Sequence, residues 1–228
     1  MCRRYALYSG KKEIEEHFGA ETREHAEDSY QPRYNVAPGE IMPVVLMSKT
    51  REKGVGALQW GLIPREAPDD SAARELFNAP SEELPKKAEF KKPFQRKRCI
   101  IPANGFFEWK QLDSVSLPFY IRLLNRELFG IAGLFDKWES PDGEVRYTYT
   151  IVTTPANALV QPLHTRMPAI LQPEDYDFWL DPMNSDPEEL NELLQPYPTE
   201  EMATYRVTNK VNSEESQGEE LILPVMEK

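Results

Sequence analysis

Short apolar runs, each closed by proline, glycine or a cluster of charges, recur along the chain and set the first expectation for its fold. IMPVVLM at 41–47, GALQWGLI at 56–63, RCIIP at 98–102, PFYIRLL at 118–124, LFGIAGLF at 128–135 and YTYTIVTT at 147–154 read as strands. Charged, helix-compatible stretches predict helices over 11–28, 71–78 and 81–90, and again over 156–163, 174–180 and 187–195. ATYRVT at 203–208 and ELILPV at 220–225 add two strand-like segments near the end. Asp142-Gly143, between Trp138 and Tyr147, is a hairpin signal that favours antiparallel pairing of the strands on either side. Helices and strands are interspersed without regular alternation, so the expected class is α+β. No Gly/Ser linker, low-complexity tract or fixed-period repeat divides the 228 residues, and one domain over 1–228 is expected.

Composition narrows the chemistry. Two widely separated cysteines and three histidines supply neither a disulfide framework nor a zinc spacing, so no metal and no cofactor is expected. Cys99 lies inside Arg98-Cys99-Ile100-Ile101-Pro102 and reads as a small core residue. The opening MCRRYALYSGKKEIEEHF lacks an apolar signal core, and no later run approaches the roughly 20 residues of a spanning helix. A cytoplasmic protein without a membrane partner is the expectation. The net charge of −11 is unevenly spread: from Glu174 onward 15 acids face 3 bases, which leaves 24 bases against 23 acids before it. Within that neutral body Lys86, Lys87, Lys91, Lys92, Arg96, Lys97 and Arg98 cluster around Glu89. Such a run reads either as a solvated face or as a phosphate-binding patch.

The sharpest chemical feature is Met1-Cys2. A small second residue permits removal of the initiator methionine, which leaves an amine and a thiol on one carbon. A lysine amine meeting an aldehyde stops at a hydrolysable imine; an amino-terminal cysteine adds its sulfur to the imine carbon and closes a five-membered thiazolidine. Reference pKa values of ~7.7–8.0 for the amine and ~8.5 for the thiol leave a reactive fraction of each near neutrality. Glu108, in Gly105-Phe106-Phe107-Glu108-Trp109, is either desolvated by its aromatic neighbours and tuned for acid/base work or placed by strand alternation on a wet face. His164, in Leu163-His164-Thr165-Arg166-Met167-Pro168, suits a loop and is a better proton-transfer candidate than His17 and His25 on the charged amino-terminal helix. Asn78, where a helical run stops, reads as a turn former or as an amide that orients a sugar hydroxyl or the Cys2 backbone.

Several segments occur in a shared order: Met1-Cys2-Arg3-Arg4, Tyr34-Asn35-Val36-Ala37-Pro38, Trp60-Gly61-Leu62-Ile63-Pro64, Asn78-Ala79-Pro80-Ser81-Glu82, Arg98 through Trp109, Ala132-Gly133-Leu134, Thr153-Thr154-Pro155-Ala156-Asn157 and His164 through Pro168. With them the chain resembles, from end to end, the SOS-response-associated peptidase family, whose SRAP domain shields abasic sites in DNA. The resemblance implies a curved, pseudo-barrel-like arrangement of mostly antiparallel strands with surrounding helices. It implies Cys2 as nucleophile with Asn78, Glu108 and His164 around it, and single-stranded DNA bearing an abasic site as the covalent partner of a monomer. It further implies autocatalytic removal of Met1, weak lyase activity by β-elimination, and location at the nucleoid. Arg4 and Arg166 are the matched arginines for phosphates, with Asn35, Pro38, Trp60 and Thr153 in segments that approach DNA; Trp60 reads as an exposed stacking residue or as a core aromatic. Two positions depart from the family pattern. Arg3 stands where a glycine is usual and Pro80 where an arginine is usual, so weaker or more salt-sensitive DNA binding is expected unless Arg3 supplies the missing charge. The competing readings are an amino-terminal-nucleophile cysteine amidohydrolase, which also begins Met-Cys, and a non-covalent nucleic-acid-binding module. The chain lacks the Gly-His-Asn-Gly stretch that such amidohydrolases use around their oxyanion hole.

Overall fold

The computed structural model describes residues 2–22 and 30–225. Its first half forms strands β1 (Arg4–Leu7), β2 (Glu21–Thr22), β3 (Arg33–Val36), β4 (Ile41–Met47), β5 (Lys53–Trp60), β6 (Asn78–Pro80) and β7 (Arg98–Ala103). The second half adds β8 (Gly105–Leu112), β9 (Val115–Leu123), β10 (Phe129–Glu139), β11 (Val145–Pro155), β12 (Arg166–Pro168), β13 (Ile170–Leu171) and β14 (Met202–Arg206). The helices are α1 (Lys11–Phe18), α2 (Ala88–Arg96), α3 (Tyr176–Leu180) and α4 (Pro187–Glu192).

Two sheets organise these elements. One has the antiparallel order β14-β9-β8-β1-β3. In the other, β11, β10, β7, β4 and β5 pair in succession, and β5 returns to pair with β11, Thr148 opposite Gln59 and Tyr149 opposite Trp60. That return closes a five-stranded barrel, in agreement with the expected α+β pseudo-barrel. Most pairings are antiparallel; β5–β11, β6–β11 and β2–β5 are parallel. Ile101, Ile131, Ile151, Val45 and Tyr149, all buried, belong to the large core shared by barrel and sheet. On the outer side of the five-stranded sheet, Ala6, Phe107 and Tyr120 pack with Val207, Val211 and Leu221 of the carboxyl-terminal segment.

Local structure departs from the sequence expectation where turn chemistry overrides helical composition. The helix expected over 11–28 ends at Phe18 because Gly19 caps it in the left-handed region at φ 57°; the rest of that expectation beyond Thr22, with His25, lies outside the described residues. Over 71–78 only a 3-10 turn, Ser71–Arg74, forms. Pro80 biases Ala79 to extended backbone, and Asn78–Pro80 instead joins β11 as a parallel strand. Over 81–90 a 3-10 turn at Ser81–Glu83 precedes α2, which starts past Pro85. Residues 156–163 are turns, with the Asn157 carboxamide oxygen accepting from the Leu159 and Val160 N–H groups. ELILPV is a 3-10 turn at Glu219–Ile222 rather than a strand. Of the basic cluster, Arg98 is buried and donates to the carbonyls of Trp179, Phe94, Gln95, Asp181 and Asn184, a structural clamp rather than a phosphate site. Lys87, Lys92 and Lys97 pair with Glu83, Glu66 and Asp136.

Candidate active site and nucleic-acid cleft

The site lies where the five-stranded sheet meets the barrel, and each contributes part of it. On the sheet side, β1 pairs with β8 so that Arg4 faces Phe107 and Tyr5 faces Phe106. The chain before Arg4 therefore runs along β8 toward Glu108. Strand alternation sends Phe107 to the outer core and Glu108 to the opposite face. On the barrel side, β11 carries β6 on one edge, with Ile151 opposite Asn78, and β12 on the other, with Pro155 opposite Arg166. Asn78, Thr153, His164 and Arg166 are thus gathered around one strand end.

Cys2 is fully buried, and its thiol donates to the Arg4 carbonyl at 3.6 Å. Asn78 holds the backbone of the same residue: its Nδ2 donates to the Cys2 carbonyl at 2.8 Å, the backbone role open to it from sequence. Glu108 is only 3% exposed, which selects the desolvated reading over the wet one. Burial raises its pKa from the ordinary 4.5 to about 7, against the opposing positive charges of the chain's amino terminus and Arg3. Its Oε1, like Asn78 Oδ1, is buried without a hydrogen-bond partner among the described residues. Burial, with the Glu108 charge adding to it, pushes the Cys2 thiol well above its usual range. This corrects the expectation of a thiolate fraction set by the reference value: the folded protein holds Cys2 as the thiol, and its proton must leave as the sulfur reacts.

His164 borders the same cleft, about 530 Å³, together with Arg3, Arg4, Glu108, Trp109 and Asn212. Its Nδ1 lies 3.0 Å from the Arg166 N–H and 3.3 Å from the Arg166 carbonyl; the shorter contact, in which Nδ1 accepts, favours the tautomer with the proton on Nε2. Desolvation, then the positive amino terminus and Arg166, lower its pKa and keep the imidazole neutral at pH 7.

The residues expected to meet DNA divide into several kinds. Arg4 donates to Asn35 Oδ1 at 3.2 Å and to Glu214 Oε1 at 3.0 Å. Arg166 grips Glu82 through two bonds of 3.1 and 2.9 Å and also donates to the Oγ1 and carbonyl of Thr153. Both matched arginines are therefore held by carboxylates. Asn35 is fully buried in β3, and its Nδ2 donates to the carbonyls of Val211, Ser213 and Ser216, so it anchors the carboxyl-terminal segment instead of facing a strand. Trp60 is also fully buried, donates to the Phe77 carbonyl at 2.8 Å and meets Tyr5 edge-on at 5.3 Å; the exposed stacking reading gives way to the core one. Pro38 is half-buried and lines a second cleft of about 620 Å³. Arg3 and Arg4 border both clefts. Glu82, Glu214, Arg74 and Arg146 were missed by sequence reasoning, since no local motif marks a contact made across the fold. Among the described residues no group of three or more His, Cys, Asp or Glu is placed to hold a metal ion, and no helix is long and apolar enough to cross a membrane.

Cys2, the Glu108 carboxyl, the Asn78 carboxamide and the His164 imidazole thus gather at the sheet–barrel junction, and comparison with known proteins shows the family to which this arrangement belongs. The defining pattern of the family described as SOS response associated peptidase (SRAP) matches residues 1–214, and the chain belongs to that family. It is 42% identical over 97% of its length to the abasic site processing protein YoqW of Bacillus subtilis, covering 99% of that protein. It is 31% identical over 87% of its length to the abasic site processing protein HMCES of Gallus gallus, covering 68% of it. A crystal structure of a protein from Bacteroides thetaiotaomicron has the same fold, with a TM-score of 0.88, 27% identity, and coverage of 99% of this chain and all of that one.

Proposed function

We propose that this protein recognises abasic sites in single-stranded DNA and links itself to them through a thiazolidine on Cys2, acting as a monomer in the cytoplasm at the nucleoid. The observation that supports it most is the buried carboxyl of Glu108 beside Cys2, whose Oε1 has no hydrogen-bond partner among the described residues and whose pKa of about 7 suits it to hold or take a proton near neutrality. Loss of Met1, by attack of Cys2 on the preceding carbonyl, exposes the Cys2 amine. Glu108 accepts a proton from that ammonium. As the hemiacetal opens to the aldehyde, His164 Nε2 gives a proton to the sugar ring oxygen and the anomeric hydroxyl proton returns to the same nitrogen, so the imidazole ends neutral and no net proton is consumed. The amine then adds to the aldehyde carbon and water leaves, giving the imine. Finally the sulfur bonds to the imine carbon, and the thiol proton is transferred to nitrogen as the ring closes. At the imine stage the adjacent C2′ hydrogens are acidified, so slow β-elimination of the 3′ phosphate is a side reaction. Asn78 fixes the Cys2 carbonyl and through it the direction of the amine.

The test is incubation with a single-stranded oligonucleotide carrying one abasic site, followed by denaturing electrophoresis. A shifted species with the wild type and none with Cys2→Ala supports the reading. Failure of protein that has lost Met1 to give any shifted species overturns it. Binding that survives Cys2→Ala with no covalent product in either protein would instead point to a non-covalent module.

A further inference from the structure

The 620 Å³ cleft on the other side of the amino terminus is lined by Arg3, Arg4, Arg74 and Arg146 and by the carboxylates of Asp70 and Glu214. A surplus of cations in one concavity is unusual for a chain of net charge −11. The four arginines are not equivalent. Arg146 is held by Asp70 at 2.9 Å and by both oxygens of Glu144 at 2.8 and 2.9 Å. Arg4 is held by Asn35 and Glu214. Arg3 and Arg74 are exposed, and neither forms an ion pair with a described carboxylate. Their donors remain available for the two-pronged contact that a guanidinium makes with a phosphate.

Both are also mounted on fixed backbone. Arg3 immediately precedes β1. Arg74 closes the 3-10 turn Ser71–Arg74, whose Ala73 carbonyl sits against Gly61 so closely that a Cβ there would stand 2.5 Å from the oxygen. Gly61, at φ 125°, supplies a conformation that other residues rarely adopt. The Leu62 N–H donates to the Leu76 carbonyl at 3.1 Å and ties the other end of the turn to the barrel. Arg3 and Arg4 border both clefts, so the two adjoin at the amino-terminal segment that carries Cys2.

We propose that Arg3 and Arg74 form a phosphate-binding subsite for the DNA strand flanking the abasic nucleotide. The inference rests on the function proposed above and adds to it the path of the flanking strand and the residues that hold it. Contacts of this kind position a strand without reading its sequence.

The experiment measures binding of an oligonucleotide carrying a tetrahydrofuran abasic analogue, which has no aldehyde and cannot crosslink, over a range of salt. Arg74→Ala and Arg3→Gly are each expected to weaken binding about three- to tenfold at low salt. Each is expected to lower the magnitude of the slope of log affinity against log salt by about 0.7, one single-strand phosphate contact. Lys12→Ala removes the same charge outside the cleft and is expected to change the slope much less. Replacing one flanking linkage at a time by methylphosphonate is expected to cancel the Arg74→Ala effect at one position only. Unchanged slopes in both cleft variants, an equal change from Lys12→Ala, or insensitivity of the Arg74→Ala effect to every neutral linkage would each overturn the proposal. Retained crosslinking of a true abasic strand in that case leaves the function standing and removes only the subsite.

Discussion

The two clefts that meet at the amino terminus share Arg3 and Arg4 but treat charge in opposite ways. Cys2 and Glu108 are buried and Glu108 Oε1 is left without a partner among the described residues, so the same burial raises both the carboxyl and the thiol. In the arginine-lined cleft, Arg4 and Arg146 are paired with carboxylates, and Arg3 and Arg74 are exposed and open. Proton transfer near pH 7 needs a desolvated acid, whereas holding a polyanion needs cations that stay charged and accessible. On the proposed function, the division would let one short amino-terminal segment serve both needs.

The largest test of this contrast is Glu108→Gln. It keeps shape and polarity but cannot exchange a proton, and the crosslinking rate under single-turnover conditions is expected to fall about a thousandfold while affinity for the tetrahydrofuran analogue stays within about twofold. An equal loss in both would mean that Glu108 belongs to the binding cleft after all.

A smaller effect is expected on stability. The folded state raises the Glu108 pKa from 4.5 to about 7, so it binds an extra proton between those values and stability falls as pH rises through that window. Below pH 4 both states are protonated and the cost is absent; by pH 8 it amounts to roughly 3 kcal/mol. Glu108→Gln is therefore expected to match the wild type in urea unfolding at pH 4 and to exceed it at pH 8. A constant difference across the range would contradict the buried-carboxyl account.

The smallest effect concerns the charged side. Glu214, 70% exposed at its side chain, occupies Arg4 with a pair that solvent screening makes weak. Glu214→Gln releases Arg4 for phosphate, and affinity for single-stranded DNA is expected to rise about two- to fivefold, the worth of one such pair, with a steeper salt slope. Unaltered affinity would show that Arg4 stays committed to Asn35 when DNA binds.

Much of this arrangement was legible in the chain. The strands at 41–47, 98–102, 128–135 and 147–154 appear close to their expected places because buried apolar runs fix them regardless of context. Strand β8 was not in that set, since Glu108, Lys110 and Gln111 interrupt its apolar pattern. Helical composition at 71–78 and 156–163 misled, because Pro80 and the Asn157 carboxamide impose turn and strand geometry that propensity does not encode. Cys2, Asn78, Glu108 and His164 could be singled out because short motifs mark them. Trp60 lies in an equally marked motif yet serves the core, and Arg74 and Glu214 carry no local signal because their significance comes from tertiary juxtaposition.

The central claim is that Cys2, freed of Met1 and served by Glu108, closes a ring on an aldehyde. Intact mass spectrometry of the protein after incubation with an abasic oligonucleotide, without any reducing agent, tests it most directly. The account predicts the mass of the chain lacking Met1 plus the oligonucleotide minus one water, with the adduct mapped by peptide analysis to Cys2. No adduct, or one that forms only with borohydride and maps to a lysine, would contradict it.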